Sequence, residues 1–119
     1  AQCLQQTLND AKATSFVALT SLNCSHGGIT TLAGLAQFTG LKSLKLSGNQ
    51  IRNLMVLERL VELEALWLDD NTVIDPIPVL RMPKIRQLDL SGNVSLQCPA
   101  PTEMRPQLVI TLPEHCRSS

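Results

Sequence analysis

The stretch Leu41-Lys42-Ser43-Leu44-Lys45-Leu46-Ser47-Gly48-Asn49-Gln50-Ile51 decides the fold, because it returns 22 residues later as Leu63-Glu64-Ala65-Leu66-Trp67-Leu68-Asp69-Asp70-Asn71-Thr72-Val73. A third copy keeps Ile85, Leu88, Leu90 and Asn93. One step back, the frame holds Leu19, Leu22, Cys24 and Ile29, with Gly27 in the asparagine position; one step forward it holds Ile110 and Leu112. A fixed period of this length marks a stack of small units, none of which buries its apolar side alone. Within each copy the residues alternate as in a strand, so Leu44 and Leu46 face in while Ser43, Lys45 and Ser47 face out. The spacing predicts five parallel strands centred near residues 22–24, 44–46, 66–68, 88–90 and 110–112.

Between the strand segments the apolar period changes to three. Ile29, Leu32, Leu35, Phe38 and Leu41 form one run, Ile51, Leu54, Leu57, Leu60 and Leu63 a second, and Val73, Pro76, Val79, Met82 and Ile85 a third. A period of three is tighter than that of an α-helix, which predicts short helical or 3₁₀ return arms on the convex side. Pro76, Pro78 and Pro83 should make the third arm less helical than the second.

The pattern L-x-x-L-x-L-x-x-N-x-I, followed by L-x-x-L-x-x-L, resembles leucine-rich repeats, in particular the 22-residue internalin-type class, over residues 19–112. The resemblance implies a right-handed α/β solenoid with a concave parallel sheet. It also implies that Asn49, Asn71 and Asn93 form a ladder, each amide bonding backbone groups at the turns of neighbouring coils. Gly27 departs from the pattern, so the ladder should lack a rung in the first coil.

A stack exposes its core at both ends and needs caps. Residues 1–18 suit an amino-terminal helical cap, with Cys3, Leu4, Leu8 and Ala11 on one side, residues 19–95 carry the repeats, and residues 96–119 form a carboxy-terminal cap, all within one domain. Cys24 takes an inward strand position beside the first cap, and Cys98 falls on the inward convex register of Leu54 and Pro76. The expected pairs are Cys3 with Cys24 and Cys98 with Cys116. Paired cysteines place the chain in an oxidising compartment, as a secreted, periplasmic or cell-surface protein; four free thiols would place it in a reducing one.

Composition restricts the function. Ten basic and ten acidic residues among 119 cancel, which leaves no general attraction to nucleic acid or an anionic membrane. No apolar run is long enough to span a bilayer as a helix. Catalysis needs acid, base or nucleophile groups in mutual reach, and the rungs separate them. At about 4.8 Å per rung, His26 and His115 would stand roughly 19 Å apart and His26 and Asp70 about 10 Å, so neither a metal site nor a triad is expected, and no cofactor is implied. Asp69, Asp70 and Asp75 share a turn region without a calcium-loop pattern; Asp at turns accepts backbone hydrogen bonds. Two glycosylation tripeptides begin at Asn23 and Asn93, the latter expected to be turned inward.

The outward face of the strands remains. It should present small and polar residues around a single indole, with Lys45, Trp67 and Asp89 side by side in one column and Asn23, Asp69 and Gln87 nearby. An exposed central Trp is the residue type most enriched at binding hot spots. The sequence therefore points to a non-enzymatic protein-recognition module. The alternatives are a carbohydrate or cell-wall glycan binder, which would stack a sugar on Trp67, and a structural part of a larger surface protein.

Overall fold

The computed structural model describes residues 19–32, 35–100 and 107–117. Five strands, β1 (Ser21–Asn23), β2 (Ser43–Lys45), β3 (Ala65–Trp67), β4 (Gln87–Asp89) and β5 (Val109–Thr111), form one parallel sheet in sequence order. Leu22, Leu44, Leu66, Leu88 and Ile110 stand directly opposite one another across it. The 22-residue register holds throughout, and each strand lies one residue earlier than the spacing predicted. Hydrogen bonding nevertheless continues beyond each strand, as from Leu46 N to Trp67 O and from Gly48 N to Asp69 O.

The period of three in the return arms has a direct cause. Leu57 N donates to Leu54 O, Leu60 N to Leu57 O and Leu63 N to Leu60 O, so each inward leucine bonds to the one three residues before it. The first arm repeats this with Phe38 bonding to Leu35 and Leu41 to Phe38. A 3₁₀ helix, Met55–Arg59, results in the second arm. The third arm corrects the expectation from its prolines, because it contains a turn of α-helix, α1 (Ile77–Leu80). Pro76 is its N-cap and Pro78 lies in its first turn, where a missing N–H costs nothing and a fixed φ favours the helix.

Strand and arm residues meet in one aliphatic core, in which Leu44, Leu46, Leu66 and Leu68 from the sheet pack with Leu54, Leu57, Leu60 and Leu63 from the arms. Phe38 is its only buried aromatic among the described residues. Leu22 and Ile110, on the outer strands, are only partly buried. The expected amino-terminal cap and Cys3 lie outside the described residues.

Polar groups inside the stack are handled by the predicted asparagines. Asn71 Oδ1 accepts from Ile51 N at 3.0 Å, while its Nδ2 donates to Leu46 O at 2.9 Å and Leu68 O at 3.0 Å, which ties two coils together. Asn93 does the same between Val73 N, Leu68 O and Leu90 O. Asn49 accepts from both Gly27 N and Ile29 N at 2.9 Å, so the first coil, which has Gly27 in the ladder position, is held by the asparagine of the next. Asn93 is fully buried, which disfavours it as a glycan acceptor.

At the carboxy-terminal end a short helix, α2 (Glu114–Arg117), carries Cys116, which is bonded to Cys98. Cys98 is exposed rather than inward, because among the described residues no coil stacks beyond it and its sulfur turns to Cys116. Cys24 is buried and also disulfide-bonded. The Cys3 half of that expected pair falls outside the described residues.

Candidate functional site

The sheet register fixes the columns of the concave face. Asn23, Lys45, Trp67, Asp89 and Thr111 stand in one of them, with Trp67 on the middle strand and Lys45 and Asp89 on either side. A second column holds Ser21, Ser43, Ala65, Gln87 and Val109. Just beyond the strand ends, Ser47, Asp69 and Ser91 repeat at the same step. All six residues expected to meet a partner thus lie on one face. Leu66 and Leu68 are fully buried and Trp67 between them is only partly buried, as strand alternation requires.

Contacts within the face divide these residues. The Lys45 ammonium lies 5.1 Å from the centroid of the Trp67 ring, a cation–π distance. Asp69 accepts from Ser47 Oγ through Oδ1 at 2.5 Å, and Asp89 accepts through Oδ1 from Ser91 N at 3.0 Å and Ser91 Oγ at 2.7 Å. Asn23 Oδ1 likewise accepts from Ser25 N at 3.1 Å. Asn23 and Asp89 therefore cap their own turns, a use signalled by the Asn-x-Ser and Asp-x-Ser spacing. Gln87 is exposed.

Where the strands end, a further column runs His26, Gly48, Asp70 and Gly92, and all four residues have positive φ, between 56° and 79°. The side chains of His26 and Asp70 lie over Gly48 and Gly92, filling the space where a Cβ would sit. The turn thus alternates a side chain with a glycine that makes room for it.

Two neighbouring clefts lie at the other end of the strands and share Glu64, Arg86 and Gln107, the larger about 470 Å³ with Ala65, Gln87 and Val109 also lining it. Among the described residues one group has metal-ligand types together: a ring nitrogen of His115 and the sulfurs of Cys98 and Cys116, all within 4.8 Å. Both sulfurs are spent on the disulfide, and His115 Nε2 lies 2.8 Å from Leu96 O. Counting rungs overlooked this cluster because His115 sits in α2 rather than on a rung; its adjacency to Cys116 in sequence was the available signal.

No family model matches the chain, and no curated protein sequence does. Among solved structures it is similar to an internalin C2 from Listeria monocytogenes, with a TM-score of 0.60 and 28% identity over 71% of this chain. This chain is a leucine-rich repeat protein. A second internalin of the same organism, inlF, is 20% identical over 81% of the chain, with a TM-score of 0.47. The leucine-rich repeat chain spans only 37% and 40% of the lengths of these two structures.

Proposed function

We propose that this leucine-rich repeat protein is a non-enzymatic recognition module that binds a protein partner through the concave face of its sheet. The observation that carries the reading is Trp67, only partly buried on the outer face of the middle strand. A side chain of this size on a solvated face costs solubility, and its central position lets a ligand exclude the most water. The surrounding Ser21, Ser43, Ser47 and Ala65 are small enough for a partner to approach the sheet closely. Lys45, Asp69, Asp89, Asn23 and Gln87 set the polarity around that anchor, and the residues 1–119 act as one domain.

We place the protein outside the reducing cytosol, as a secreted, periplasmic or surface protein, on the strength of the Cys98–Cys116 disulfide. Immobilised protein incubated with secreted and surface fractions should retain a partner that the Trp67→Ala variant does not retain. Equal retention by both would move the site off the concave face. A glycan array on the same two proteins tests the glycan alternative, since a sugar stacked on Trp67 would be lost with it while protein capture failed.

A further inference from the structure

We infer that the Trp67 indole is a receptor for a cationic side chain of the partner, an arginine guanidinium, and that Lys45 is its resident occupant in the free protein. This rests on the concave-face reading and specifies the chemistry it recognises.

Three observations lead there. The only cation of the concave strands, Lys45, holds its ammonium 5.1 Å from the ring centroid and makes no ion pair among the described residues. One carboxylate stands on the far side of the indole from Lys45, Asp89 directly opposite Trp67 on β4, and a second, Asp69, follows Trp67 by two residues and is bonded to Ser47 of the β2 coil. Each uses Oδ1 on a neighbouring serine and leaves its second oxygen without a partner among the described residues. The indole N–H has no partner among those residues either.

The face therefore carries a π surface, two carboxylate oxygens and no cation of its own that serves both. Lys45 cannot supply both, because its tether on β2 lies two rungs from Asp89, about 10 Å away. An arginine from outside meets both demands at once. Its guanidinium is planar, weakly hydrated and forked, so it stacks on an indole while donating to carboxylate oxygens at its edge. Lys45 competes for the ring and repels the incoming charge.

A consequence separates this proposal from binding by an apolar anchor alone: removing Lys45 strengthens binding. The chain has one Trp and no Tyr, so its fluorescence excited at the indole band reports Trp67 alone. The probes are a hexapeptide of alternating glycine and arginine and its counterpart with citrulline, the uncharged isostere. A saturable fluorescence change with the arginine peptide, weakened by salt and absent with the citrulline peptide at the same concentrations, is the expected result. Lys45→Ala and Lys45→Gln should both tighten it by about two- to fivefold, the worth of an exposed cation–π contact, and Asp89→Asn should weaken it at least as much. Equal binding of the two peptides, or weaker binding by both Lys45 variants, overturns the proposal. The two readings fail separately. A partner captured through Trp67 without arginine discrimination refutes the cation receptor alone, whereas arginine discrimination at Trp67 without capture of any protein supports the receptor and counts against the concave-face function. Denaturation of each variant guards against loss of fold.

Discussion

Two columns pass through the same coils at the same 22-residue step, and they differ in every respect except spacing. Inside, Asn49, Asn71 and Asn93 are identical, buried and satisfied by backbone groups of their own and the preceding coil. Outside, Asn23, Lys45, Trp67, Asp89 and Thr111 are all different and none is fully buried. Within one stack, sameness marks a position that must solve the same packing problem at each rung. Difference marks a position released from that problem. In a repeat protein the binding candidates are the residues the repeat does not dictate.

Adjacent residues give the sharpest way to break this contrast. Leu66→Ala removes a fully buried side chain from the middle of the core and should cost about 2–5 kcal/mol of stability, seen as a lower denaturant midpoint. Trp67→Ala, one residue on, should leave the midpoint nearly unchanged while weakening capture of a concave-face partner by about 2 kcal/mol or more. Unfolding by Trp67→Ala would mean that the indole belongs to the core and the outer column is not free to vary.

The inner column should fail in a graded way. Asn71→Ala leaves Ile51 N, Leu46 O and Leu68 O without the amide and should cost about 1–3 kcal/mol in chemical denaturation. An unchanged midpoint would show that water replaces the amide and that repetition there does not reflect stability.

The turn column, where side chains alternate with glycines, sharpens the comparison further. Gly28 and Gly48 both have positive φ, but a Cβ on Gly28 meets open space and one on Gly48 meets the His26 ring. Gly28→Ala should cost about 1 kcal/mol for backbone strain alone, and Gly48→Ala should cost more. Adding His26→Ala to Gly48→Ala should bring the loss back toward that of Gly28→Ala. If thermal or denaturant unfolding shows no such recovery, the ring is not what makes glycine necessary at residue 48.

Much of this architecture was legible because periodicity is written directly in the chain. The step between Asn49 and Asn71 gave the sheet register, and the alternation around Trp67 gave its outward direction. What escaped depended on local conformation. The α-turn at Ile77–Leu80 arises from where Pro76 and Pro78 fall relative to a helix start, which a count of prolines does not reveal. The left-handed column was hidden because His26 and Asp70 adopt a conformation that only Gly48 and Gly92 advertise. Lys45 and Trp67 were neighbours by register, but the placing of the ammonium over the ring rather than at Asp69 depends on side-chain conformation, which register does not carry.

A third column, on the strand-entry side, carries the smallest expected effect and tests whether complementary charges at the repeat step stabilise the stack. Lys84 Nζ lies 2.8 Å from Glu62 Oε1, one coil apart, with side chains 53% and 40% exposed. The hydrogen bond and charge of Lys84 hold the Glu62 carboxyl below its ordinary value, and the same bond from Glu62 holds the Lys84 ammonium above its own. For the carboxyl the folded chain binds protons less readily than the unfolded one, so its contribution is present above the unfolded value of 4.5 and fades as pH falls through the lower folded value. For the ammonium the contribution is present below 10.5 and is lost as pH rises through the higher folded value. Solvent screens both groups, and holding two long side chains in one geometry costs entropy, so the pair adds little even between those limits. Glu62→Gln should therefore shift the denaturation midpoint at neutral pH less than any substitution above, with the difference from wild type shrinking further toward pH 3 and in high salt. A midpoint loss comparable to that of Asn71→Ala would show that exposed charges at the repeat step stabilise the coils as strongly as the buried amides do, and the division between a structural inside and a permissive outside would not hold on this edge.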